Sequence, residues 1–201
     1  MRFCSHLDIT RYMTRLMRKA AIPLWHTEGF NPRPYITFAL PLPLGFLSSY
    51  EIMDIRLTDD DYDINSLPET LNSFCHEGIV FFRAAEPVLK VGNLAAADYE
   101  IVFDDGGALA GAIKEFLAKD KITVLKKTKR GGEKEIDLKE HLSDVSVTEN
   151  NENTLLKLTL PAGGSLNINP ELLLSAFCEK GETPYTVTRL VLKDNAGKVF
   201  A

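Results

Sequence analysis

Ile36-Thr37-Phe38-Ala39-Leu40-Pro41-Leu42-Pro43-Leu44-Gly45 sets the character of the N-terminal half of this chain. Ile36, Phe38, Leu40, Leu42 and Leu44 alternate with Thr37, Ala39, Pro41 and Pro43. A period of two belongs to a strand with one buried face. Pro41 and Pro43 carry no N–H, so the end of this strand must lie at a sheet edge or leave the sheet. Gly45 to Ser49 reads as a turn. Met53, Ile55 and Leu57 then alternate with Asp54 and Arg56 in a returning strand.

Upstream lies the loop Thr27-Glu28-Gly29-Phe30-Asn31-Pro32-Arg33-Pro34, whose glycine and two prolines make a structured turn. Before it, Ile9, Tyr12, Met13, Leu16, Met17 and Ala20 recur at helical spacing and form one apolar face. Ser5 and Asp8 have capping-box spacing at the start of this helix, with Asp in place of Glu or Gln. Pro23 marks its end. Downstream, a helix is expected around Leu67–Cys75 and a strand around Ile79–Ala84. With a short strand before the first helix, the order is that of a ferredoxin-like βαββαβ module over residues 1–91.

Gly92 to Ala97 is small and apolar and reads as a linker. The order then repeats over residues 98–201. Tyr99, Ile101 and Phe103 alternate, and a helix follows with Leu109, Ala112, Ile113, Phe116 and Leu117 inward. Ile122–Lys127 and Lys134–Leu138 form a hairpin around Gly131-Gly132. Val145–Thr148 and Thr154–Leu160 form a second hairpin. Asn169 caps a helix with Pro170 at its first position, Gly181 stops it, and Tyr185–Leu192 is the last strand. The fold class expected is α+β, two ferredoxin-like modules in tandem, the second with an inserted β-hairpin.

Of 201 residues, 45% are hydrophobic and 25% charged, which fits a packed globular chain rather than a disordered one. The net charge of −5 argues against a dedicated duplex-DNA binder, so a nucleic-acid role must rest on local patches. Cys4, Cys75 and Cys178 are far apart, form no C-x-x-C pair and read as small hydrophobes. An odd cysteine count and no signal peptide suggest the reducing cytoplasm. No apolar run approaches the length of a membrane helix, so no membrane association is expected. Asp59, Asp60, Asp61 and Asp63 lack the glycine and closing Glu of a calcium loop and read as solvated.

Four separate motifs carry a resemblance. They are Ser5-His6-Leu7-Asp8, the loop Glu28–Pro34, the segment Ala39–Gly45, and Glu51 with Asp54. In order and spacing they resemble the radical SAM-linked family, a bacterial domain of unknown function, over roughly residues 3–57. Members of that family are fused to, or encoded beside, B12-binding radical SAM proteins, and tend to lie near ribosome- and ribonuclease-related genes. The resemblance implies a B12-binding radical SAM protein as partner, and chemistry on RNA. It supplies no catalytic residues. The chain lacks the closely spaced cysteines that hold a radical SAM cluster, so it resembles a companion to such an enzyme, with no cofactor of its own expected. Members usually have a further strand before the Ser-His-Leu-Asp motif. Here only Met1–Cys4 precede it, from a shortened first strand or a late start.

Three constellations could carry function. Arg11, Arg15 and Arg18 share a helix face, and Lys19 and Arg33 extend the set. Residues 1–35 hold six basic side chains against two acidic ones, a local excess of +4 suited to phosphates. A solvated helix face is the plain alternative. The hairpin tip carries Lys126, Lys127, Lys129, Arg130 and Lys134 against Glu133, suited to RNA or an acidic partner, or else charged to prevent edge aggregation. His6, Asp8, His26, Glu28 and Asn31 would line one pocket if helix start and loop converge. A His with a carboxylate could do acid–base work or bind a metal, although capping and turn formation account for most of these residues. Trp25 beside His26 reads as a packing residue. No phosphate loop, dinucleotide fingerprint or nucleophile elbow occurs. No catalytic residue or metal ligand is assigned.

The leading expectation is a non-catalytic accessory protein that presents RNA, or another large anionic substrate, to a radical SAM enzyme. A protein-only docking or regulatory module is the first alternative. A small metal-independent ribonuclease with His6 or His26 as base is the second.

Overall fold

The computed structural model describes residues 2–127, 131–164, 166–178 and 183–200. It is a mixed α+β protein. The chain divides into two compact units, one of Met1–Phe46 with Glu51–Lys90, the other of Leu47–Tyr50 with Val91–Phe200.

In the first unit, helix α1 (His6–Lys19) starts at Ser5, whose hydroxyl accepts the Asp8 N–H at 3.2 Å. Its buried residues, Met13, Leu16 and Met17, gather with Ile22, Leu24, and Leu67 and Leu71 of helix α2 (Leu67–Phe74). Strands β1 (Ile36–Phe38) and β3 (Met53–Ile55) pair antiparallel and pack Ile36, Phe38, Met53 and Ile55 against this cluster. Full burial of a side chain such as Leu16 or Met17 contributes about 1.5–3 kcal/mol, and the partly buried strand residues less. The ladder ends at Phe38, one backbone bond continues from Ala39 N–H to Ile52 O at 3.0 Å, and the prolines follow.

The four-stranded sheet expected for residues 1–91 does not form here; among the described residues the unit has the pair β1–β3. Arg2 and Phe3 form a turn rather than a first strand, and Arg2 clasps Gly45 from both sides: its Nε donates to Gly45 O at 2.8 Å and its carbonyl accepts Gly45 N–H at 2.9 Å. Residues 79–84 are not a strand either. The Asn72 amide takes the place of a neighbouring strand, donating to Phe81 O at 2.7 Å and accepting Phe81 N–H at 2.9 Å. That satisfies the backbone groups a ladder would have used.

The second unit runs β4 (Leu94–Phe103), α3 (Ala110–Ala118), a separate hairpin of β5 (Thr123–Lys127) and β6 (Glu133–Asp137), then β7 (Ser143–Glu149), β8 (Thr154–Pro161), α4 (Pro170–Phe177) and β9 (Tyr185–Asp194). Its main sheet has the order β2-β9-β4-β8-β7, where β2 is Leu47–Ser48. All its pairs are antiparallel except β2–β9. Ala97, Tyr99, Ile101 and Phe103 of β4 are buried on one face with Leu156, Leu158 and Leu160 of β8. The core also holds Ile113 of α3 and Leu173 of α4, while Phe177 packs its ring 5.3 Å from Phe116. Asn169 caps α4 by accepting the Glu171 N–H at 2.9 Å; the Gly181 stop lies outside the described residues.

Two readings change here. Gly92–Ala97 is not a linker: a short 3₁₀ turn ends at Asn93, and Leu94–Ala97 are the first residues of the central strand. The start of this strand is closely approached by backbone at Gly163, where an added Cβ would collide with Leu94 O. Leu47 and Ser48, expected in a turn, pair parallel with Thr188 and Arg189.

Asp105 knits this unit together. Its carboxylate accepts the N–H groups of Gly107 (3.2 Å), Leu109 (2.6 Å) and Thr154 (2.7 Å) and the Thr154 hydroxyl (2.7 Å). Burial pushes this carboxyl up, but the hydrogen bonds from Thr154, Leu109 and Gly107 outweigh it and hold it below the usual carboxylate range. Its folded value is therefore below its unfolded value. The stability it contributes is present above about pH 4 and is lost as pH falls through the folded value. We expect Asp105→Ala to cost about 2 kcal/mol in urea unfolding at neutral pH, with the gap to wild type narrowing below about pH 4.

Candidate nucleic-acid interface

The cationic residues of α1 are held outward by the helix period, because Met13, Leu16 and Met17 take the inner face. Arg11, Arg15, Arg18 and Lys19 are all exposed. Arg11 makes a solvent-exposed ion pair with Asp8 at 3.7 Å, and the Lys19 ammonium lies 5.4 Å from the Phe74 ring centre on α2. Among the described residues, Arg15, Arg18 and Lys19 have no carboxylate partner. A surface pair such as Arg11–Asp8 is weak and leaves the guanidinium available.

The loop after α1 is closed by two bonds across its neck. Thr27 N–H donates to Arg33 O at 2.8 Å, and Arg33 N–H donates to the Thr27 hydroxyl at 3.0 Å. Gly29 takes φ +125°, a conformation that disfavours side chains. Glu28, Phe30, Asn31 and Arg33 are exposed, Phe30 completely, at 106%. His26 Nδ1 sits 3.0 Å from Leu24 O, and its backbone bridges to Pro34. The His6 ring meets Phe38 edge-on at 5.3 Å. Asp8 accepts a hydrogen bond from the Ser5 hydroxyl at 2.6 Å. Among the described residues no hydrogen bond or ion pair joins His6, Asp8, His26, Glu28 and Asn31 into one group, and no His, Cys, Asp or Glu cluster fit for a metal occurs.

The β5–β6 hairpin belongs to the second unit. Lys126 lies directly across from Lys134 and Lys127 from Glu133. Lys126 donates to Asn167 O at 2.5 Å, while Lys134 is exposed. Lys129, Arg130 and the Lys127 side chain lie outside the described residues. Elsewhere in this unit two lysines are engaged by carboxylates: Lys193 pairs with Asp98 at 2.8 Å and Asp144 at 3.6 Å, and Lys157 with Glu100 at 3.2 Å.

A family model described as an uncharacterized protein conserved in bacteria, DUF2344, matches residues 1–170. The chain belongs to this family. The matched region takes in all of α1, the Asn-Pro loop and the hairpin, and stops at the first residue of α4. No curated protein matches the chain. Among the described residues no helix is long and apolar enough to cross a membrane.

Sequence reading passed over one grouping. Trp25, given as a packing residue, is half-buried and lies under Arg56, whose guanidinium carbon is 4.6 Å from its ring centre. Tyr35 meets Trp25 at 6.3 Å and 65°. The signal was present in part: Arg56 alternates with the inward Ile55 and Leu57, but nothing local names Trp25 as its partner.

The double role of Ser5, accepting from Asp8 N–H and donating to its carboxylate, makes it the anchor of the basic helix. Ser5→Ala should cost about 1 kcal/mol in chemical denaturation, with Ser5→Asp recovering most of it.

Proposed function

We propose that this chain is a non-catalytic accessory protein of a B12-binding radical SAM enzyme and holds RNA by the cationic face of α1. The observation that carries the RNA reading is that face: four exposed cations in a protein of net charge −5, with one weak ion pair among them. Clustered guanidinium groups favour phosphates because binding them releases counterions. The radical SAM partner rests on the Ser-His-Leu-Asp, Asn-Pro-Arg-Pro and Leu-Pro-Leu-Pro motifs and their resemblance to the radical SAM-linked family. The reading places the protein in the cytoplasm.

The second unit is read as a ferredoxin-like module with an inserted hairpin. Support comes from its antiparallel order β9-β4-β8-β7 and its alternation of strands and helices. The sheet face away from its helices carries the Lys193–Asp98 and Lys157–Glu100 pairs rather than aromatic rings. Nucleobase-binding sheets of this kind stack bases on aromatics, so the RNA role is assigned to the first unit. A docking module is a second reading, favoured by Phe3, Leu7 and Leu44, which are 79%, 57% and 63% exposed in the first unit.

The test is fluorescence anisotropy of the full chain with a labelled single-stranded RNA. Affinity should fall steeply with salt. Arg11→Glu/Arg15→Glu/Arg18→Glu should weaken binding more than about tenfold. The same change should flatten the log–log salt slope by about 0.7 for each phosphate no longer neutralised. Absent binding, or binding indifferent to the triple change, removes the RNA reading. Cleavage of RNA in EDTA that disappears in His6→Ala/His26→Ala would mark the chain as a ribonuclease instead.

A further inference from the structure

Trp25, Tyr35 and Arg56 meet on the face of the first unit turned away from its core. Their chain neighbours Leu24, Ile36, Ile55 and Leu57 all belong to the core cluster, and in extended backbone successive side chains point to opposite faces. Their backbones are locked to one another: Trp25 N–H donates to Arg56 O at 2.8 Å, Tyr35 N–H to Trp25 O at 2.9 Å, and Arg56 N–H to Tyr35 O at 3.4 Å. Arg56 lies close enough over Trp25 to bring its guanidinium carbon within 4.6 Å of the ring centre. Arg56 is exposed and Tyr35 is 42% exposed. The loop that leaves this face and returns to it carries Phe30, fully exposed, with Arg33 beside the neck. Neither Arg33 nor Arg56 has an ion-pair partner among the described residues.

We propose that Phe30 and the Arg56–Trp25 stack form a binding site for unpaired nucleobases of single-stranded RNA, with Arg33 and Arg56 also reaching its phosphates. The site rests on the RNA reading above and goes beyond it by assigning where the bases sit. Phe30 offers an exposed ring at a stiffened loop tip. The outer plane of Arg56, backed by the Trp25 π-system, offers a second flat, cationic surface. Bases stack on aromatic rings and on guanidinium planes alike, and such contacts tolerate any sequence. A proline-rich peptide would need an open aromatic groove. Here Arg56 lies over the Trp25 ring and Tyr35 meets it at 65°. Glu28 lies in the loop itself and Asp54, opposite Thr37, stands two residues before Arg56, so stacking supplies affinity that net charge alone does not.

The chain has one tryptophan, Trp25, so its emission reports on this site directly. The full chain is titrated with a single-stranded RNA and with an abasic ribose-phosphate oligomer of equal length. RNA should quench the emission and the abasic oligomer should not. Phe30→Ala and Arg56→Ala should each weaken RNA binding about five- to hundredfold, Phe30→Ala without changing the salt slope, and Phe30→Tyr should keep wild-type affinity. Phe30 is fully exposed, so its replacement leaves the core intact. If both alanine variants bind RNA normally while the α1 triple variant does not, the base site is wrong and the phosphate reading stands. If wild type binds no RNA, both fall. Flat emission with RNA bound, as a site built for a polypeptide would give, also overturns the proposal.

Discussion

Three backbone hydrogen bonds close a ring among Trp25, Tyr35 and Arg56, and the first unit depends on it. The unit has one two-stranded ladder of three residue pairs, too little sheet to stand alone. The ring adds a third extended segment, and the Leu24↔Leu57 bridge and the Thr58 N–H to Pro23 O bond at 2.8 Å continue it. Each closure satisfies a peptide group that would otherwise be desolvated without a partner. The same ring sets which side chains face α1 and which face solvent. Leu24, Ile36, Ile55 and Leu57 go inward, while Trp25, Tyr35 and Arg56 go outward.

Charge is used differently in the two units. In the second, four lysines are held by nearby acceptors, Lys193 by two aspartates, Lys157 by Glu100, Lys126 by the Asn167 carbonyl and Lys139 by the Leu117 carbonyl, while Lys114, Lys121, Lys134 and Lys198 are exposed. The hydrogen bond to Asp98 raises Lys193 above its ordinary value against the opposing effect of burial. In the first, the arginines of α1 and Arg33 face solvent with a single weak pair. The proposed anion-binding role falls to α1 and the Asn-Pro loop because their cations are exposed and grouped on one helix face and one loop.

Much of this was legible in the sequence because it is encoded locally. Ser5 and Asn169 announced α1 and α4 through their side-chain oxygens, and both cap as expected. The hairpins β5–β6 and β7–β8 followed from alternation around turn residues, the second closed by the Asn150 side chain accepting from Glu152 and Asn153. What failed was non-local. Residues 79–84 have the composition of a strand, but Asn72 takes both backbone groups of Phe81 from the helix. Ala95–Ala97 have the composition of a linker, but they belong to the central strand, paired on both sides by β8 and β9. The pocket of His6, Asp8, His26, Glu28 and Asn31 is conditional on the helix start and the loop converging, and among the described residues no hydrogen bond or ion pair joins them. The grouping the fold does assemble joins Trp25, Tyr35 and Arg56 from three segments.

The two-residue strand Leu47–Ser48 completes the sheet against β9, with 141 positions separating Ser48 from Arg189. On a translating ribosome moving at about 5–20 residues per second, the later segment emerges roughly seven to thirty seconds after the earlier one. Through that interval β2 has no partner to pair with, and the exposed edge it will cover does not yet exist. The second unit therefore draws its edge strand from far upstream of its other strands. Closure of that sheet waits until Tyr185–Asp194 has been made, long after Leu47 and Ser48.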